Sequence, residues 1–142
     1  MSGTVAALKL QTCKGEPFCE AESLTLIAGA GILGDCHFGG EKGQVCLLDE
    51  SCRRWMEGAE GLCLQRFQEN VLVAGISSEE WRQGDVLGIG EAVLEITQKG
   101  KKCFPECKRV QEGEPCRLRT GCCFAAVLRG GIVKRGAEVR KR

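Results

Sequence analysis

Tyrosine is absent from this chain, and its aromatic rings come from two tryptophans and five phenylalanines. A surface that stacks single-stranded bases needs exposed aromatic rings at intervals, so that class of function is excluded. Twenty basic residues face nineteen acidic ones, a formal charge of +1. No long-range field therefore draws in nucleic acid or an anionic membrane. No apolar run approaches the roughly 20 residues a membrane span needs. The opening Met1 to Leu10 lacks a charged segment leading into a long apolar one, the pattern of an export signal. The expectation is a cytoplasmic protein with neither nucleic acid nor membrane as partner.

Proline is scarce as well, at positions 17, 105 and 115 only. Without a repeat, linker or low-complexity tract, residues 1–142 read as one domain, long enough to bury a real core. What is plentiful is cysteine, eleven in all. An odd count with no export signal argues against a disulfide framework. In a reducing compartment, buried free thiols behave as small apolar groups. Cys46, inside the apolar run Gln44 to Leu48, is the clearest core filler; Cys52, Cys63 and Cys122 fit the same role.

The hydrophobic pattern is that of short strands. Thr4–Thr12, Ser23–Ile27, Gln44–Leu48, Phe67–Val73, Val86–Ile89, Ala92–Thr97, Cys123–Leu128, Ile132–Val133 and Glu138–Arg140 alternate or run apolar between turn residues. Asp49 is an N-cap for a short helix through Met56. Ser77 or Ser78 opens a single turn before Trp81, and Glu106–Gln111 reads as another short helix. The fold class is mainly β: a meandering sheet closing into a barrel, with one or two short helices. Gly29-Ala30-Gly31-Ile32-Leu33-Gly34 matches the dinucleotide-binding spacing literally. That fingerprint requires a helix to follow. Here Asp35 to Gly43 holds three more glycines and no amphipathic period, so the reading is a long glycine-rich loop.

Three constellations carry chemistry. After the strand Ala92–Thr97, a glycine turn leads to Lys101-Lys102-Cys103. Fixed positive charge beside a thiol favours the thiolate, the form that attacks sulfur or binds a soft metal. Cys103 is therefore the candidate nucleophile, as sulfur carrier or metal ligand. Cys107, four residues on, is a resolving thiol or second ligand. Structural zinc recruits cysteines in closely spaced pairs; Cys103 and Cys107 supply one, and Cys116 and Cys122 are too far apart to match it. The third constellation is Asp35-Cys36-His37. His37 is the only histidine, the side chain whose unperturbed pKa lies near neutrality; oriented by Asp35 it can move a proton. Glu69 and Asn70 read as residues that fix backbone turns.

Taken in order, Gly31–His37, Gln44–Asp49, Phe67–Asn70, Gly84–Gly90, Leu94–Thr97, Gly100–Cys103 and Phe124–Gly131 resemble the molybdenum-cofactor sulfurase C-terminal domain, the MOSC domain. The small bacterial members are the most similar. The resemblance implies a barrel-like β fold and a role in sulfur or molybdenum-cofactor chemistry. It puts the sulfur-carrying or metal-binding cysteine at Cys103, and lines the same pocket with Gly34, Asp35 and His37. Lys101, Lys102 and Asn70 are the further cofactor-binding candidates. Implied partners are the molybdenum cofactor (molybdopterin), a protein that carries it, or a sulfur donor. Pyridoxal phosphate, held in full-length sulfurases by a separate aminotransferase-like domain, is not expected on this chain. One departure stands out: where the family places an arginine before the Gln-Val pair, this chain has Gly43. The planar fork that grips phosphate is missing there, and Lys42, Lys101 or Lys102 would act as point charges instead. Two other readings fit the same residues. One is a cofactor-dependent desulfurase or reductase acting on a small sulfur or N-hydroxylated compound. The other is a thiol-rich metal-binding or docking module without catalysis.

Overall fold

The computed structural model describes residues 2–40, 45–58, 67–100 and 118–142, with only the backbone path at 118 and 119. Eleven strands are described: β1 (Ser2–Leu10), β2 (Cys19–Ala21), β3 (Ser23–Ile27), β4 (Gly31–Ile32), β5 (Val45–Asp49), β6 (Val71–Ala74), β7 (Val86–Ile89), β8 (Ala92–Lys99), β9 (Cys123–Arg129), β10 (Gly131–Lys134) and β11 (Glu138–Lys141). The helices are α1 (Glu50–Glu57), a 3-10 turn at Ser78–Glu80, and α2 (Leu118–Gly121).

The main sheet runs β11-β7-β8-β9-β5-β6-β1-β2, and β11 also pairs with β1. That last pairing closes β1, β6, β5, β9, β8, β7 and β11 into a barrel, with β2 attached alongside β1. Closure leaves no unpaired barrel edge. β10, β3 and β4 form a second, three-stranded sheet. Every barrel pairing is antiparallel except β5–β6, which are joined through α1. Among the described residues no helix is long and apolar enough to cross a membrane.

Period-two alternation explains which side chains fill the barrel. Ala92, Leu94 and Ile96 of β8 point inward, with Cys123, Ala125 and Val127 of β9 beside them. β1 carries Val5 and Leu8 into the same core, a spacing of three that breaks strict alternation. The register of β1 against β6 shifts between Val5 and Ala7. A bulge there resets the phase, which is why β1 alternates only loosely in sequence.

β5 is buried along its whole length because both of its faces are covered. Val45 and Leu47 enter the barrel. Cys46 and Leu48 lie outside it, under Cys52, Trp55 and Met56 of α1, together with Phe67, Leu72, Cys122 and Phe124. Asp49 caps α1 as its residue type suggested, accepting from Cys52 N at 2.6 Å. It also accepts from Ser78 N at 2.9 Å. The 3-10 turn has Ser77 as its cap residue, without a side-chain cap bond.

Three elements differ from the sequence reading. β2, β4 and α2 are too short to show a period, and β4 lies inside the stretch read as loop. Glu106–Gln111, Lys42, Gly43, Cys63 and Cys116 lie outside the described residues. Gly130 and Gly131 turn the chain from the barrel into the second sheet. A Cβ on Gly130 would collide with Leu26 O, and one on Gly131 would lie 2.9 Å from Glu91 Cβ. Close packing is what requires glycine there.

Asp49→Ala is expected to cost about 2–4 kcal/mol, from the lost cap and the buried Ser78 N–H left unpaired. The urea midpoint of unfolding measures it.

Candidate functional site

The glycine stretch after β4 folds into a chain of tight turns. Asp35 N donates to Ile32 O at 3.1 Å, Phe38 N to Asp35 O at 3.0 Å, and Gly40 N to His37 O at 3.0 Å. Gly34 enters them at φ +88°, with only Leu10 Cδ1 near a would-be Cβ, at 3.7 Å. Its glycine is needed for backbone conformation. The turns are fastened to the end of β1 twice: Cys36 N donates to Gln11 O at 2.6 Å, and Gln11 N donates to Asp35 Oδ1 at 2.9 Å.

Asp35 is the centre of this arrangement. Its side chain is 0% exposed, whereas that of His37 is 59% exposed. Asp35 Oδ2 accepts from His37 N at 3.0 Å and lies 3.2 Å from His37 Nδ1. In the tautomer with the proton on Nδ1, the carboxylate accepts from that N–H and Nε2 is left as the basic nitrogen. The pairing read from sequence is present: a buried carboxylate orienting a solvent-reachable imidazole. Cys36 Sγ lies 3.5 Å from His37 Nδ1 and donates to Gln11 Oε1 at 3.3 Å. Burial first, then the Asp35 charge, pushes the Cys36 thiol up, so at neutral pH it stays protonated.

Asn70 is buried, and its amide is taken up by protein. Oδ1 accepts from Cys46 N at 3.0 Å; Nδ2 donates to Lys9 O at 3.2 Å and Asp35 Oδ1 at 3.4 Å. It ties β5, β1 and the Asp35 turn together, fixing the site from behind. Glu69 beside it does more than fix a turn. It pairs with Lys9 Nζ at 2.9 Å and with the Arg53 guanidinium. Burial alone would raise its pKa; Arg53 and then Lys9 overcome that and hold the carboxyl below its ordinary value. Nothing in the one-dimensional spacing of Lys9, Arg53 and Glu69 announces this trio. Next to it a cleft of about 520 Å³ is lined by Lys9, Gln11, Glu16, Phe18, Glu20 and Gln68.

Cys103, Cys107, Lys101 and Lys102 lie outside the described residues. The residues flanking their segment are described. Gly100 N donates to Cys122 O at 2.6 Å. Cys122 Sγ lies 4.0 Å from Cys46 Sγ, and Cys46 N is the group bound by Asn70. A short run of contacts thus leads from the root of the Cys103 segment to Asp35.

The remaining described thiols divide cleanly. Cys13 and Cys19 are exposed; Cys46, Cys52, Cys122 and Cys123 are buried. Burial, helped by neighbouring Cys122, raises the Cys46 thiol well above its ordinary value. Cys123 has Lys99 Nζ at 3.5 Å, the very lysine–thiol contact that favours a thiolate. Burial nevertheless wins, and the Cys123 pKa is pushed up to about 11. Lys99 is also bound to Ser78 O, within the buried Asp49–Ser78–Gly121 knot. Cys46 and Cys123 are therefore neutral core groups.

A family model described as the MOSC domain matches residues 34–140. The crystal structure of the YUAD protein from Bacillus subtilis is similar at 19% identity and TM-score 0.75, over 98% of this chain and 94% of that one. YiiM from Escherichia coli is 18% identical with TM-score 0.63, over 100% of this chain and 70% of that one. YiiM from Geobacillus stearothermophilus is 16% identical with TM-score 0.61, over 99% and 75%. No curated protein matches the chain. At these identities the likeness to solved structures carries the fold alone.

Two outcomes check this geometry. Brief alkylation of native protein at neutral pH is expected to label Cys13 and Cys19 while leaving Cys46, Cys122 and Cys123 unmodified by peptide mass. A depressed carboxyl pKa adds stability above the ordinary value, here 4.5, and that stability is lost as pH falls through the depressed value. The stability gap between wild type and Glu69→Gln should be full at neutral pH and shrink as pH drops below 4.5, followed by denaturant unfolding.

Proposed function

The chain belongs to the MOSC domain family, and from that premise we propose that it carries sulfur in molybdenum-cofactor chemistry, with Cys103 as the working thiol. Sulfur would arrive from a donor persulfide. The Cys103 thiolate attacks the terminal sulfur, the bond between the donor's two sulfurs breaks, and the donor leaves as a thiolate; the steps follow thiol–disulfide exchange. The outer sulfur of the Cys103 persulfide then attacks an electrophilic acceptor. A second thiol, for which Cys107 is the candidate, attacks the Cys103 sulfur; the sulfur–sulfur bond breaks, the acceptor keeps the sulfur, and Cys103 is left in a disulfide. Lys101 and Lys102 favour the thiolate by charge. Asp35 and His37 would offer a proton acceptor for the Cys103 thiol, through His37 Nε2.

The observation that supports this reading is the contact path from Gly100 through Cys122, Cys46 and Asn70 to Asp35. It links Gly100, the residue that precedes the segment bearing Cys103, and the imidazole-bearing turn to the same strand, β5. Among the described thiols, Cys36, Cys46 and Cys123 are held protonated, which removes those three as thiolate nucleophiles.

The family associates this fold with the molybdenum cofactor. The described residues of the site do not by themselves fit its anionic pterin phosphate. Lys9 and Arg53 are already paired with buried Glu69, and the adjacent cleft carries Glu16 and Glu20. A phosphate grip would fall to Lys42, Lys101 and Lys102, so no step is routed through the cofactor. The partners proposed are a sulfur-donor protein and an acceptor protein that brings its own cofactor, met in the cytoplasm.

Incubation with a persulfide donor followed by intact mass tests the reading. Wild type should gain one sulfur atom, Cys103→Ala should gain none, and His37→Gln should gain it about 10²-fold more slowly if the imidazole acts as base. Equal sulfur uptake by wild type and Cys103→Ala would sink the proposal.

A further inference from the structure

The geometry points to a second use of the Asp35–His37 turn, one that does not involve Cys103: a mononuclear binding site for a divalent metal of the zinc type, held by Cys36 Sγ, His37 Nδ1 and Asp35 Oδ2. The three ligand atoms lie within 4.8 Å of one another. Cys36 Sγ to His37 Nδ1 is 3.5 Å, and His37 Nδ1 to Asp35 Oδ2 is 3.2 Å. Zinc takes sulfur at about 2.3 Å and nitrogen or oxygen at about 2.0–2.1 Å. At a tetrahedral angle those bonds place sulfur about 3.5 Å from nitrogen, and nitrogen about 3.3 Å from oxygen. Both observed edges, which also serve as hydrogen-bond contacts, are compatible with those figures, and Cys36 Sγ lies within 4.8 Å of the Asp35 ligand oxygen.

Charge supplies a separate argument. The Asp35 side chain is fully buried, and its one ion partner among the described residues is the exposed His37, which is cationic only when protonated. Its fixed donors are two backbone N–H groups and the Asn70 amide, all neutral. Lys9 and Arg53 answer Glu69 instead, and Lys14, which acts on Cys36 by charge, forms no ion pair with Asp35 among the described residues. A buried carboxylate is costly without an opposite charge, and a divalent ion on its Oδ2 provides one. The same hydrogen-bonding partners that hold Asp35 rigid would preorganise it as a ligand. Access is open, because His37 is 59% exposed.

The mixed sulfur, nitrogen and oxygen set selects borderline metals over magnesium or calcium, which take oxygen. Three protein ligands leave a fourth position for water or an external sulfur ligand, the pattern of catalytic rather than structural zinc sites. On binding, Cys36 would lose its thiol proton to solvent and the His37 ring proton would shift from Nδ1 to Nε2, so the imidazole could not serve as the Nε2 base of the sulfur reading while a metal is held. Asp35 gives up its bond to Nδ1–H and keeps those from Gln11 N and Asn70.

The test is zinc titration of the full reduced chain against a chromophoric chelator, with cobalt(II) as spectroscopic probe. Wild type should bind one more equivalent than Cys36→Ser or His37→Gln, or bind that equivalent at least 10-fold more tightly. The sulfur-to-cobalt charge-transfer band should fall in Cys36→Ser and persist in Cys103→Ala. Near-native circular dichroism of the metal-free variants separates lost ligation from lost fold; His37→Gln, at an exposed position, supplies that control. Equal stoichiometry and affinity in wild type, Cys36→Ser and His37→Gln overturns the site, as does metal lost only in Cys103→Ala. Because the readout is metal and not sulfur, failure here leaves the Cys103 reading standing, and failure there leaves this one.

Discussion

Barrel closure rests on β1, which pairs along its length with three different strands. Ser2–Thr4 pairs with β11, Thr4–Leu8 with β6, and Leu8–Leu10 with β2. A sheet must tilt and stagger to close, and the bulge between Val5 and Ala7 lets one strand serve partners at both ends of the sheet. Gly3 is part of the same device, since a Cβ there would lie 2.7 Å from Ile76 Cγ2 and collide with Ala74 O. The far end of β1 then supplies Lys9, and Gln11 follows just beyond it; these hold Glu69 and the Asp35 turn. Closing the barrel and building the site are consequences of one strand's geometry.

Two buried carboxylates sit near that end and are handled differently. Glu69 is answered by Arg53 and Lys9, and its charge is locked within the protein. Asp35 is answered by backbone N–H groups, an amide and an exposed imidazole. The first arrangement stabilises a structure. The second holds negative charge in place while its positive counterpart stays exchangeable with solvent, which is what proton transfer or metal ligation requires.

The thiols show how far a charge argument reaches. A lysine beside a cysteine favours the thiolate in an accessible setting. At Cys123 the lysine is present and the thiol still titrates near 11, because losing water costs the anion more than one neighbour returns. The reading of Cys103 depends on both its lysines and its contact with water, and the first is visible in sequence while the second is not.

Much of the barrel is legible in one dimension. β3, β7, β8 and the capped helix α1 follow from alternation, turn residues and Asp49, all local properties of consecutive residues. The rejection of a dinucleotide fold at Gly29–Gly34 was legible for the same reason, since the residues that follow cannot make a helix. The Asp35–His37 pairing was readable because two residues of one turn can reach each other without help from the rest of the chain. β2, β4, the Lys9–Arg53–Glu69 trio, the Lys99–Cys123 contact and the role of Asn70 were decided only in three dimensions. Each depends on which strands lie side by side and on how deeply a group is buried, quantities set by the register and closure of the whole sheet rather than by any local run of residues.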